Sequence, residues 1–100
     1  MKTLIALYKT PADPDAFLAY YEATHLPLVQ KIPGLLSAQV TRVDRTLMGE
    51  QGWFLIAEMC FADADSFRTA MKSPENAAVG ADLANFAEGL VTVLTGSAEG

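Results

Sequence analysis

The chain has 100 residues, 51% of them hydrophobic and 19% charged, and its seven Lys and Arg against twelve Asp and Glu leave a net charge of −5. That length suits one domain, and so apolar a composition calls for a buried partner surface or an apolar pocket. The scattered cations form no basic stripe for a phosphate backbone, and no apolar run nears the roughly 20 residues that cross a bilayer, so neither nucleic acid nor membrane is an expected partner.

The opening "MKTLIALYKTPADPD" has too short an apolar run for a secretion signal and no small-residue cleavage pattern, which points to a soluble cytoplasmic protein. Its residues Lys2 to Lys9 place Leu4, Ala6 and Tyr8 on one face and Thr3, Ile5 and Leu7 on the other, the pattern of a central strand covered on both sides. Asp13 then caps a helix with Pro14 at its first position, where a missing N–H costs nothing, and Asp15 complements the helix dipole. Phe17, Tyr20, Tyr21, Thr24 and Leu28 recur at helical spacing and should face a sheet. Pro27 has no donor for the carbonyl of Ala23 and crowds that turn. A break is therefore expected at His25 and Leu26, with a second short stretch from Pro27 until "IPG" ends it at Ile32 to Gly34.

Leu35 to Asp44 alternates as a half-buried strand, with Leu36, Ala38 and Val40 against Ser37, Gln39 and Thr41, and "MGEQG" supplies a turn. "WFLIAEMCF", Trp53 to Phe61, is a strand apolar on both faces except at Glu58. Asp63 caps a second helix carrying Phe67, Ala70 and Met71. Ser73 and Pro74 start a third, shorter one with Val79, Leu83 and Phe86, weakened by Gly80. After Gly89, "LVTVLTG" reads as the last strand, and "GSAEG" as a frayed tail.

The order is that of a single ferredoxin-like α+β domain over residues 1–100, a split β-α-β fold with a four-stranded antiparallel sheet and helices on one face. Because the first and third strands are apolar on both sides, the bare face needs a second sheet. A homodimer packed sheet to sheet, the dimeric α+β barrel, would provide it.

"YKTPADPDAFLAYYEATHLPLVQKIPGL" resembles the opening of the EthD family, named for ethyl tert-butyl ether degradation: a Tyr-Lys strand end at Tyr8 and Lys9, Asp13 with Phe17, "THLPL" from Thr24 to Leu28, and Pro33 to Leu35. The later "IAEMCF", "SPE" and "ADLANF" are similar to that family's second half. The resemblance implies a dimeric α+β barrel, a site at His25, and a role beside degradative oxidation or polyketide systems. Many members carry Tyr-Asp-Gly where this chain has Trp53, Phe54 and Leu55, so an acid from that Asp is not available here.

His25, the only histidine, would sit beside a freed carbonyl, either merely bonding it or serving as the proton carrier of a cleft. Glu58, alone in an apolar strand, is either a desolvated base or the partner of Arg42 or Arg45. Asp82 either orients His25 or caps a local turn. Tyr21 and Trp53 offer large rings with one polar handle, and Phe86 joins them as a lining residue. Cys60 reads as an inert buried thiol. With no Gly-rich phosphate loop and no set of metal ligands, no cofactor or metal is expected. The expected function is binding of a small apolar, oxygen-bearing ligand by a homodimer in an accessory pathway step, with His25 in proton-transfer chemistry of isomerase, cyclase or lyase type. The alternatives are a cofactor-independent monooxygenase and a non-catalytic partner of an oxidation system.

Overall fold

The computed structural model describes residues 1–99. Alternation along the strands decides its layers. In β1 (Lys2–Lys9) and β3 (Trp53–Phe61), Leu4 stands opposite Met59, Ala6 opposite Ala57 and Tyr8 opposite Leu55, all buried beneath the helices. Directly opposed residues share a sheet face, so the intervening pairs Ile5–Glu58 and Leu7–Ile56 lie on the other side. β4 (Val91–Ser97) pairs with β1, and β2 (Leu35–Arg42) pairs with β3, giving the antiparallel order β2-β3-β1-β4. This is the ferredoxin-like α+β sheet, with its helices on one face.

β2 is an edge strand and stops at Arg42, short of Asp44. A bulge between Leu35 and Ser37 leaves Leu36 59% exposed, so the expected clean alternation is lost at its start. The tail is also more ordered than its composition suggests: Gly96 and Ser97 belong to β4, and the Ala98 amide bonds the Met1 carbonyl. Gly100, the end of the expected frayed segment, lies outside the described residues.

The helices begin where their caps stand. Asp13 accepts from the Ala16 amide at 3.1 Å to start α1 (Pro14–Tyr20), and Asp63 from the Ser66 amide at 2.8 Å to start α3 (Ala64–Met71). Ser73 caps α4 (Pro74–Phe86), which at 13 residues is the longest helix and not the short one its Gly80 suggested. Val79 and Asp82 are buried along it, and that packing outweighs the poor helix propensity of one glycine.

The expected break at His25 takes another form. The backbone stays right-handed helical through His25 (φ −73°, ψ −49°) and Leu26 (φ −58°, ψ −42°). Tyr21 to His25 form a π-helical turn in which the Leu26 N–H donates to the Tyr21 carbonyl, and α2 (Leu26–Val29) follows. Pro27 has no N–H to return to Ala23, and one extra residue in the turn absorbs that loss without interrupting the helix. Among the described residues, no helix is long and apolar enough to cross a membrane.

Candidate active site

The π-helical turn carries two buried residues, Tyr21 and His25, on the side that faces the sheet. α4 brings Asp82 to them from 57 positions away. The His25 Nδ1 lies 2.9 Å from Asp82 Oδ2, and the two side chains are 3% and 7% exposed. The second carboxylate oxygen, Oδ1, accepts from the Tyr20 hydroxyl at 2.6 Å and from the Asn85 amide at 3.1 Å. Phe86 packs against the imidazole with ring centres 4.7 Å apart, and Tyr21 lies at 5.4 Å.

Burial pushes the Asp82 carboxyl up, but donation from Tyr20, His25 and Asn85 together outweighs it and holds the group below the usual carboxylate range. Burial pulls His25 below the ordinary histidine value, and the neighbouring carboxylate offsets only part of that effect. Near neutral pH the site is thus an ionised Asp82 and a neutral His25. An ionised carboxylate only accepts, so the imidazole proton belongs on Nδ1 and Nε2 carries a free lone pair.

That nitrogen opens on a cavity of about 240 Å³ between helices and sheet, lined by His25, Tyr8, Tyr21, Met59, Val79 and Leu83 among others. No hydrogen bond among the described residues reaches His25 Nε2 or the phenols of Tyr8 and Tyr21. Among the described residues no enclosed side-chain polar atom lacks a partner, so these three atoms keep some contact with open space, and all three residues line the cavity. Burial raises both phenols, Tyr21 to about 12, so both remain donors at any physiological pH.

Of the residues singled out by sequence, His25, Asp82, Tyr21 and Phe86 come together. Of the two roles weighed for Asp82, the geometry has it hold His25; it lies inside α4 and takes the Asn85 side-chain amide three residues along, which is not a turn cap. Trp53 and Glu58 lie elsewhere. Trp53 pairs with Lys9 at the start of β3, with the Lys9 Nζ 3.9 Å from the ring centre. Glu58 is exposed on the opposite sheet face, across from Ile5 and Gln39, and among the described residues forms no ion pair with Arg42 or Arg45. The period of two puts residue 58 away from Ala57 and Met59, which floor the cavity. Cys60 shares the Glu58 face and is half-buried, not enclosed. Sequence reasoning missed Tyr8, Tyr20 and Asn85 as site residues. Asn85 had a readable signal, its position three residues after Asp82 on a helix. No group of three or more His, Cys, Asp or Glu stands at metal-binding distance among the described residues.

Fold and site together define a small ferredoxin-like α+β protein with a His–Asp pair over an apolar cavity. The family model described as the EthD domain matches residues 9–89, a span that holds both His25 and Asp82, and the chain belongs to the EthD family. It is 35% identical over 94 residues to an uncharacterized 11.0 kDa protein of Rhodococcus erythropolis from the thcB-thcC intergenic region, covering 94% of this chain and 91% of that one. The crystal structure of an ethyl tert-butyl ether degradation (EthD) family protein from Bacillus halodurans matches with a TM-score of 0.91 at 42% identity, over 99% of both chains. A dimeric protein of unknown function with a ferredoxin-like fold from Bacteroides fragilis shares the fold at 19% identity, with a TM-score of 0.62 over 97% of this chain and 95% of that one.

The neutral, buried state of His25 has a consequence for stability. Its folded value lies below the 6.5 of the unfolded chain, so the unfolded state takes up a proton first as pH falls. The His25 contribution is complete above 6.5 and is lost as pH drops through the lower folded value. Urea denaturation between about pH 8 and pH 5 should show stability falling with pH below the ordinary histidine value. His25→Gln should flatten that slope, and an equal slope in the variant would assign it to other groups.

Proposed function

We propose that the protein is a homodimer that binds a small apolar compound carrying an oxygen function in the cavity between helices and sheet, and moves a proton on that compound through His25. The observation that carries this reading is the buried His25–Asp82 pair with its free nitrogen directed at an apolar space. At about 240 Å³ the space lies below the range that houses drug-sized ligands, and suits a compound of one or two rings or a short branched chain.

The chemistry follows from the protonation states. A ligand O–H, or a C–H made acidic by a neighbouring carbonyl, gives its proton to Nε2, and Asp82 stabilises the imidazolium formed. The phenols of Tyr8 and Tyr21 donate to the oxygen on which negative charge gathers. The imidazolium then returns the proton to another atom of the same molecule, which is an isomerisation or cyclisation, or to a departing group, which is an elimination. The name of the Bacillus halodurans relative fits a place beside the oxidative breakdown of apolar oxygenated compounds.

The bare sheet face supports the dimer. Ile5, Leu7 and Ile56 are only half-buried there, and Leu94, opposite Ile5, is 45% exposed. A second copy applied face to face buries all four, and sheets that pack this way lie about 10 Å apart with interdigitating side chains. The dimeric Bacteroides fragilis neighbour is consistent with such pairing.

Titration of wild-type protein with p-cresol, 2-naphthol and tert-butanol, followed through the ring protons of the single histidine, tests the site. At least one probe should move those signals saturably, and His25→Ala, measured by calorimetry against wild type, should bind that probe more weakly by about tenfold, the worth of one lost hydrogen bond to a buried group. Silence from all three probes would contradict the reading, and O₂ uptake during turnover would assign oxygenase chemistry instead. Light scattering tests the assembly: wild type should have about twice the protomer mass of 10.7 kDa, and Leu94→Lys should approach the single mass. A monomeric wild type would refute the dimer.

A further inference from the structure

Gly80 interrupts the lining of α4 at the one position where the helix would be better served by almost any other residue. Asn76, Val79, Gly80 and Leu83 line the cavity at the spacing of a single helical face. Glycine in a helix interior is poor relative to alanine, because it loses more backbone freedom on folding. Nothing among the described residues demands it here. Gly80 does not have a positive φ, and a Cβ built on it would meet no heavy atom within 4 Å. The vacant volume belongs to the cavity and its mouth, where Gly80 is exposed and Val93 is 48% exposed.

The opposite wall is small as well. Ala6 stands in register with Ala57 on one side and with Val93 on the other, and all three line the same cavity. A helix lacking a side chain thus faces a floor of two alanines and a valine. The space between them is a slot bounded on both walls by small or absent side chains. The rest of its lining is different in kind, with Tyr8, Tyr21 and His25 and the thioethers of Met59 and Met71, which make favourable contacts with aromatic rings. His25 is 2% exposed, and no hydrogen bond among the described residues reaches its Nε2, which leaves that nitrogen free to take a ligand in the slot.

We infer that Gly80 is a specificity-determining residue, keeping the slot open for a planar aromatic ring that lies between α4 and the sheet with its hydroxyl toward His25. The inference rests on the cavity reading proposed above and narrows its ligand class to flat phenol-like compounds, as against branched aliphatic alcohols. A Cβ at residue 80 takes up part of the thickness such a ring needs, and overpacking of this kind is costly because the surrounding core does not yield.

The test is a crossed pair of measurements on Gly80→Ala, with Ala81→Gly as the control; Ala81 is exposed and outside the cavity lining. Gly80→Ala should raise the melting temperature by about 4 °C, as a helix gain in a domain of this size does. It should weaken binding of 2-naphthol, measured by calorimetry, by about fivefold or more. Ala81→Gly should lower the melting temperature and leave the 2-naphthol affinity unchanged. A lower melting temperature for Gly80→Ala would give the glycine a packing role and overturn the inference, as would a smaller change in affinity. Wild-type protein that binds tert-butanol but not 2-naphthol would also overturn it while leaving the cavity reading intact. Wild-type protein that binds neither these nor p-cresol would overturn both.

Discussion

A carboxylate held out of water on a helix is the constraint around which this small fold is arranged. Asp82 is 6% exposed, and a buried charge without partners costs several kcal/mol or gives up its ionisation. Here three donors from two segments of chain converge on it: Tyr20 and His25 from the first helical layer, and Asn85 from its own helix. The arrangement ties α1 and the π-helical turn to α4 at one point. It is an inefficient way to gain stability, since apolar side chains of the same volume commonly do as well or better in such positions. What it does achieve is a fixed imidazole, neutral, with a known nitrogen facing an apolar space.

The position of that imidazole depends in turn on Pro27. Without an N–H, Pro27 leaves the preceding turn short of one bond, and the chain responds by widening the turn. Leu26 then bonds Tyr21 across five residues, and both Tyr21 and His25 are buried against the sheet. π-helical turns of this sort occur disproportionately at functional sites. The physical reason is visible here, because the wider turn redirects side chains while the helix remains continuous and rigid. Rings packed around the site, Phe86 on His25 and Tyr8 against Phe17 and Tyr21, then limit its freedom further.

Much of this architecture was legible from local pattern. Asp13, Asp63 and Ser73 announced helix starts, each through a side chain that accepts a backbone amide three residues on, and the two-sided apolar pattern of β1 announced a central strand. Pro27 showed that the helix could not continue normally at His25. It did not show whether the chain would break or bulge, because both relieve the same missing bond. The pairing of His25 with Asp82 was beyond local pattern, for it depends on how α4 crosses the first helical layer. Glu58 and Trp53 were misplaced for related reasons. The strand period separates Glu58 from Ala57 and Met59 only once the helix-facing side of β3 is known, and a bulge at Tyr8 and Lys9 sets Trp53 beside Lys9. Gly80 looked like a weakness in a helix, and its meaning emerged only with the cavity beside it.

Burial and Asp82 together fix His25 as a neutral ring with its proton on Nδ1 and a bare Nε2 toward the cavity. A long-range ¹H–¹⁵N correlation spectrum at about pH 7 reads this directly, since the chain has one histidine and its two ring nitrogens shift far apart when only one is protonated. Nδ1 should be protonated and Nε2 unprotonated. A proton on Nε2 alone, or on both nitrogens, would contradict it, because the ring would then present a donor to the cavity and no base.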